Sequence, residues 1–143
     1  MIRVLKIVRW IYAAFFFLIG AQALLASAGI LPASEFPGSP ETKAFTNAIF
    51  ATGFIGPIMS VTYVASGILM LFNRTAPLGI VLLAPFIVVI LFTHLMLNGN
   101  PPFGILLAAL LGIFAWQFRE AYQPMWNYHI ESKMNEDLNK KPS

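Results

Sequence analysis

The stretch that decides the fold is TAPLGIVLLAPFIVVILFTHLMLNGNPPFGILLAALLGIFAWQF, residues 75–118, which contains no Asp, Glu, Lys or Arg. A helix that crosses the hydrocarbon core of a bilayer needs about 20 apolar residues. This run is therefore long enough for two spans. The segment NGNPP at 98–102 concentrates turn-forming residues in its middle. The sequence therefore predicts one span at 77–97 and another at 103–121.

Two further uncharged runs precede this stretch and predict spans at 7–31 and 47–72. Pro32 is expected to end the first span. Two prolines, Pro57 and Pro85, fall inside predicted spans and are expected to kink them. In the connection after the first span, SP at 39–40 is typical of an N-cap followed by the first residue of a helix, which predicts a short helix there.

The composition indicates a membrane protein. Of the 143 residues, 58% are hydrophobic and 10% are charged, whereas soluble domains average about 25% charged residues. We therefore predict an all-α integral membrane protein with one four-helix transmembrane domain at 1–124 and a tail at 125–143. In the tail, apolar residues recur every four positions, which favours an amphipathic helix over a frayed end: Trp126, Ile130, Met134 and Leu138.

The basic residues set the expected orientation. Of the nine Lys and Arg, only Lys43 falls on one predicted side of the membrane, so both termini are expected to be cytoplasmic. The net charge of +3 then indicates contacts with anionic lipids rather than nucleic acid. Arg3, Lys6 and Arg9 precede an apolar run ending in Ala-Ser-Ala at 26–28, as in a cleavable signal peptide. The length of that run favours a retained membrane anchor.

Small residues recur at helical spacing within the spans. Because lipid provides no hydrophobic drive between helices, small residues that allow close backbone approach are typical of helix–helix contacts. We predict that these residues face the bundle interior; the alternative is that one stripe faces a partner protein or a second copy. The set comprises Gly56, Ser60 and Gly67 in the second span and Gly104, Ala108 and Gly112 in the fourth, with Ala13, Gly20, Ala23 and Ser27 in the first.

Three polar residues within the spans are candidate site residues. His94 lies near the outer end of the third span, where its ring suits a quinol headgroup or a proton path, although a structural hydrogen bond to a neighbouring helix is the favoured interpretation. Gln22 and Tyr63 lie at similar depths, which predicts a hydrogen bond between them or a polar pocket. His129 falls on the opposite side, so a bis-histidine haem is not expected. No catalytic residue or metal site is predicted.

Several motifs resemble the DoxX-like family of bacterial four-helix inner-membrane proteins. They occur in order over about residues 7–126: GAQALL at 20–25, ATGFIGP at 51–57, GILMLFNR at 67–74, Pro85 followed nine residues later by His94, and WQFREAYQP at 116–124. The resemblance implies a multi-pass protein of the bacterial inner membrane. The family is named for a subunit of a thiosulfate:quinone oxidoreductase, so the resemblance also implies a role near quinones.

This chain departs from the family at three positions. Where relatives often have a basic residue, a glutamate and an asparagine, it has Ala23, Tyr63 and Val89. Loss of these groups favours a non-catalytic accessory subunit of a larger respiratory or redox complex, with partner subunits or a second copy. The alternative is a quinone-interacting oxidoreductase subunit in which His94, Tyr63 and Gln22 shape the headgroup pocket. A small-molecule carrier is a third possibility. No intrinsic cofactor is expected.

Overall fold

The computed structural model describes residues 2–32, 38–97 and 101–125, and within these ranges the chain forms helices and no strand. The predicted all-α class is therefore confirmed. The predicted C-terminal amphipathic helix, His129 and the turn at 98–100 lie outside the described residues. The helices are α1 (Ile2–Ser27), α2 (Pro40–Ala51), α3 (Ile55–Leu71), α4 (Ala76–Met96), α5 (Pro101–Gln117) and α6 (Arg119–Met125).

Two helices are long and apolar enough to cross a membrane alone, namely Arg3–Ser27 within α1 and all of α4. The count rises to four if α2 with α3, and α5 with α6, each form one bent span. These helices agree with a multi-pass membrane protein.

The first helix ends earlier than predicted, and a glycine rather than Pro32 ends it. Gly29 has a φ of 73°, a left-handed conformation that side chains disfavour. Its N–H donates to the carbonyl of Ala26, and the N–H of Ile30 donates to the carbonyl of Leu25, both at 3.0 Å. This pair of bonds is a Schellman motif, which satisfies the last carbonyls of the helix.

The predicted span at 47–72 is divided between two helices, α2 and α3. Helix α2 ends at Ala51, and the axes of α2 and α3 differ by 96°. Thr52 makes the corner: its hydroxyl donates to the carbonyl of Ile49 at 2.7 Å and accepts the N–H of Ile55 at 3.1 Å. Gly53 follows with a φ of 77°. Pro57 consequently lies in the first turn of α3, where a missing N–H removes no helical bond, and not in the interior of a helix.

The third and fourth spans differ in how closely they match the prediction. Helix α4 begins and ends within one residue of the predicted 77–97 and continues through Pro85. Helix α5 ends at Gln117, and α6 bends away from it by 72°, so the predicted span at 103–121 is divided between two helices.

Helix α1 packs antiparallel on α3 through two glycines. A Cβ placed on Gly20 of α1 would lie 2.8 Å from the carbonyl oxygen of Ser60, and one on Gly67 of α3 would lie 2.8 Å from that of Ala13. Real Cβ atoms do not approach other atoms this closely, so these contacts require glycine. The contacts bring the two backbones together and maximise dispersion between the helices.

Similar close contacts at glycine join α3 to α4 and α4 to α5, so neighbouring helices pack in the order α1–α3–α4–α5. A Cβ on Gly79 of α4 would lie 2.9 Å from the carbonyl oxygen of Ser66, and one on Gly104 of α5 would lie 2.9 Å from the Cβ of His94. Tyr12 of α1 reaches α5, donating its hydroxyl to the carbonyl of Leu107 at 3.1 Å. The four long helices therefore enclose one core, whose most buried side chains include Phe16, Leu83 and Phe114.

Most of the small residues predicted to face the bundle interior do so, and Gly112 does not. Gly67 and Gly104 lie at the helix contacts described above, Ser60 is buried, and Ala108 packs against the core. Gly56 lies against the ring of Phe50, so it brings α3 against α2. Gly112 is different: a Cβ there would meet no atom within 4 Å. The prediction that this glycine faces the interior is wrong, and its face of α5 points outward.

Candidate functional site

A cavity of about 400 Å³ lies between α1, α2, α3, α4 and α5. Binding sites for small organic molecules are typically concave, mostly apolar and of about this size or larger. Its wall contains several aromatic rings and a few polar side chains. The lining residues are Phe15, Phe16, Ile19, Ala23, Thr42, Phe45, Thr46, Ile49, Phe50, Met59, Ser60, Tyr63, Val89, Ile90, Thr93, His94, Phe103 and Leu107.

Two of the three predicted site residues lie in this cavity. Tyr63 enters from α3 and His94 from α4. Gln22 does not line it, although the next residue, Ala23, does; the side chain of Gln22 is exposed on α1. The structure therefore brings together Tyr63 and His94 but leaves Gln22 outside the cavity.

Aromatic contacts hold the two residues in place. The Tyr63 ring packs edge-on against Phe16 and Phe86, with centroids 5.4 and 5.6 Å away. The imidazole of His94 packs against Phe103 at 5.2 Å. Offset and edge-on ring pairs of this kind add stability beyond their buried area. Both polar side chains are therefore anchored by rings of neighbouring helices.

The backbone of its own helix fixes the orientation of the imidazole of His94. Its Nδ1 lies 2.9 Å from the carbonyl oxygen of Ile90. A carbonyl oxygen can only accept, so Nδ1 carries the proton. In the neutral imidazole Nε2 is then an acceptor, on the far side of the ring from Nδ1. His94 bonds to its own helix in the described structure, and not across to a neighbouring helix as favoured from the sequence.

Helix α2 forms one wall of the cavity, which the sequence did not reveal. Ser39 fixes the beginning of this helix in two ways. Its hydroxyl oxygen accepts the N–H of Thr42 at 3.2 Å, as the predicted N-cap, and its hydroxyl donates to the carbonyl of Leu97 at 2.6 Å. Leu97 is the C-cap residue of α4. One serine thus joins the start of α2 to the end of α4.

A buried cation, which the sequence did not predict, lies at the other end of the bundle. Arg9 is 1% exposed, although from the sequence it is counted only among the basic residues that set the orientation. Its Nη2 donates to Oδ1 of Asn73, and its guanidinium lies 5.3 Å from the centroid of Phe118. Its Nε has no hydrogen-bond partner among the described residues. A buried cation held this way is costly unless its contacts persist.

The sequence carries a signal for the burial of Arg9. The interior stripe of α1 includes Ala13 and Gly20, and Arg9 is four residues before Ala13, one turn earlier on the same face. Continuing the stripe by one turn would have placed Arg9 inside. Asn73 and Phe118, which contact Arg9, are distant from it in the sequence, so only the tertiary fold brings them beside it.

The cavity contains little charge. No Asp, Glu, Lys or Arg is among its described lining residues. Within the described ranges, no group of three or more His, Asp or Glu side chains is placed to hold a metal ion. The chemistry that the cavity offers is hydrogen bonding to a bound molecule and apolar contact with its rings.

Comparison of the chain with protein-family models, curated proteins and solved structures found no match. The resemblance to the DoxX-like family therefore stays a prediction from the motifs.

Proposed function

We propose that this protein is a non-catalytic membrane subunit that holds a quinone-class ring within its helical bundle and works beside a redox centre in a partner chain. The observation that carries the proposal is the apolar cavity that Tyr63 and His94 both line. The proposal joins the accessory-subunit and quinone-interacting hypotheses drawn from the sequence.

The size and chemistry of the cavity support a ring with polar edges. A volume of about 400 Å³ accommodates a mono- or bicyclic headgroup and the first part of an isoprenoid tail. The rings of Phe15, Phe16, Phe45, Phe50 and Phe103 supply flat apolar walls, while Tyr63 and His94 supply hydrogen bonds that fix orientation.

The absence of charged lining residues supports binding rather than turnover by this chain alone. Electron transfer to or from a quinone is coupled to proton movement, and within the described lining only His94 and Tyr63 carry exchangeable protons on titratable groups. We therefore place the redox centre in a partner subunit. Isolation of only a lone species from native membranes in mild detergent would contradict that part of the proposal.

The family resemblance adds support from an independent direction. The three positions at which relatives often have polar or charged groups, Ala23, Tyr63 and Val89, come from three different helices and all line this cavity. These three positions would lie together if this protein and the DoxX-like relatives bind a ligand at the same place. The wall of the site is then less polar in this protein than in the relatives. The resemblance also supports a bacterial inner-membrane location.

Photoaffinity labelling tests the binding function. We expect an azido-naphthoquinone, added to the protein in nanodiscs, to label peptides from α2 or from the end of α4 that contains His94, and excess menadione to suppress the labelling. The variant Thr46→Phe places a ring in the cavity and should abolish labelling. Leu106→Phe is the matched control, because Leu106 is 54% exposed on α5 and does not line the cavity. Equal labelling of both variants would contradict the proposal.

We further propose that both termini face the cytoplasm. The chain has no native cysteine, so single cysteines introduced at Arg3 and Lys43 report sidedness without background. A membrane-impermeant maleimide added to intact cells should label Lys43→Cys and not Arg3→Cys. The reverse pattern would contradict the orientation.

A further inference from the structure

The hydrogen-bonding groups of the cavity divide unequally into donors and acceptors. A serine or threonine hydroxyl has one proton to donate and two lone pairs with which to accept. Where that proton is already bound to a backbone carbonyl, only the acceptor side remains for a ligand. The commitments of the lining hydroxyls therefore determine which ligand the cavity can satisfy.

Three lining hydroxyls donate to carbonyls of their own helices. Thr46 donates to Thr42 at 2.9 Å, Ser60 to Gly56 at 2.8 Å and Thr93 to Val89 at 2.9 Å. Such bonds to the carbonyl four residues earlier satisfy a hydroxyl inside an apolar environment. None of these three protons is available to a ligand.

The hydroxyl proton of Thr42 is committed indirectly. Ser39 donates its only hydroxyl proton to the carbonyl of Leu97. In the 3.2 Å contact between the oxygens of Ser39 and Thr42, Thr42 must therefore be the donor. This removes the fourth proton among the serine and threonine hydroxyls that line the cavity.

His94 follows the same rule, because its Nδ1–H is bound to Ile90 and its Nε2 is an acceptor in the neutral imidazole. The Tyr63 hydroxyl is the exception among the described lining groups, since no bond to a carbonyl of its own helix takes up its proton. The cavity thus presents one donor and several acceptors.

From this imbalance we infer that the cavity selects the reduced, hydroxyl-bearing form of its ring ligand, a hydroquinone, over the oxidised quinone. A hydroquinone has two O–H donors, which His94 Nε2 and the lining hydroxyl oxygens accept. A quinone has two carbonyl acceptors, and Tyr63 alone can donate to one of them. A site that leaves polar groups of ligand and protein unpaired discriminates strongly against that ligand. The inference rests on the proposed binding function.

Three ligands of matched shape test the inference on the unmodified protein in nanodiscs: menadione, its reduced form menadiol kept under argon, and the dimethyl ether of menadiol. The ether retains the aromatic ring and lacks both donors. We expect menadiol to bind at least about tenfold more tightly than either of the others, measured by calorimetry. Equal binding of all three would overturn the inference and leave the proposed function in place. Binding of none would overturn both.

Two variants should move the preference in opposite directions. His94→Phe removes the principal acceptor, so menadiol affinity should fall about tenfold while menadione affinity is unchanged. Tyr63→Phe removes the donor, so menadione should lose more affinity than menadiol. Thr62→Val is the matched control, since its hydroxyl donates to Ile58 at 2.8 Å outside the cavity, and it should change neither affinity.

A preference for menadiol that survives in His94→Phe would overturn the assignment of that acceptor. If His94→Phe does not fold, as judged by its thermal melting, the comparison of menadiol with menadione and with the dimethyl ether on the unmodified chain decides the inference.

Discussion

The two ends of this helical bundle are packed in opposite ways. At the Arg9 end, the side chains of Arg9, Asn73 and Phe118 meet, and the guanidinium is almost wholly enclosed. At the cavity end, the same four long helices line a cavity of about 400 Å³. The difference lies in what closes each end: large side chains in one case, and in the other the crosswise helix α2.

This difference indicates a division of labour along the helices. Closely packed large side chains contribute most to the free energy of unfolding. A substitution there loses packing contacts or leaves a buried polar group unpaired, and either change destabilises the folded protein. A void lined by satisfied hydroxyls contributes less to stability and leaves room for a ligand. Substitutions at the two ends should therefore separate stability from binding.

The largest effect is expected from Gly67→Val, which forces a side chain against the backbone of α1. With the Cβ position 2.8 Å from the carbonyl oxygen of Ala13, the helices must separate, and we expect a loss of about 3 kcal/mol or more in unfolding free energy. Gly112→Val is the control, because a Cβ there meets no atom within 4 Å. Unfolding in detergent by sodium dodecyl sulfate measures both. Equal losses would show that the glycine contact is not decisive.

Asn73→Leu should have the next largest effect. It removes the described hydrogen-bond partner of Arg9 and leaves a buried cation less satisfied, which should cost about 2–3 kcal/mol. Asn73→Asp is the matched control, since it retains an acceptor at the same place and adds a negative charge. The same unfolding assay should show Asn73→Asp to be at least as stable as the unmodified protein. A stable Asn73→Leu would show that Arg9 does not depend on this contact.

Ala23→Leu, at the cavity end, should destabilise the protein much less than Gly67→Val does. Ala23 lines the cavity, so the added carbons enter existing space and the stability change should stay below about 1 kcal/mol. Menadione and menadiol binding should both fall, because the cavity shrinks. A loss of stability as large as that of Gly67→Val would mean that the cavity end is packed as rigidly as the Arg9 end.

The smallest effect concerns Glu41, in the first turn of α2. Its pKa lies below the ordinary value of 4.5, chiefly because the backbone N–H of Glu41 itself hydrogen-bonds its carboxylate. The carboxylate therefore stabilises α2 above pH 4.5, and this contribution is lost as the pH falls through the lowered pKa. Hydrogen exchange in α2 should be faster in Glu41→Gln than in the unmodified protein at pH 7, and the two should converge at lower pH. A difference that persists in acid would exclude this origin.

The sequence predicted the bounds of a helix most accurately where the apolar run contains no hidden break. Helix α4 was located to within one residue at each end, because it begins after charged and polar residues and ends before a turn segment. The break after Ala51 was missed because Thr52 and Gly53 sit between apolar residues and leave the run uncharged. Hydropathy measures the run and not the hydrogen bonds that turn the chain by 96°.

The candidate site was predicted in part, for similar reasons. Tyr63 and His94 stand out as polar residues in apolar helices, and the structure brings them to one cavity. Gln22 stands out equally in the sequence but lies one position away from the lining residue Ala23, a rotation of about 100° around the helix. The wall supplied by α2 and the enclosure of Arg9 depend on contacts between distant segments, which no local pattern encodes.

The break between α2 and α3 also sets how far the chain reaches across a bilayer. Helices α3 and α5 have 17 residues each, which at 1.5 Å per residue corresponds to about 26 Å, short of a typical hydrocarbon thickness of about 30 Å. If α3 and α5 cross the bilayer without α2 and α6, the lipids beside them must compress, or the protein must reside where the membrane is thin. Acyl-chain length should accordingly alter its partitioning and the ease with which a hydrophobic molecule passes from the lipid to its interior.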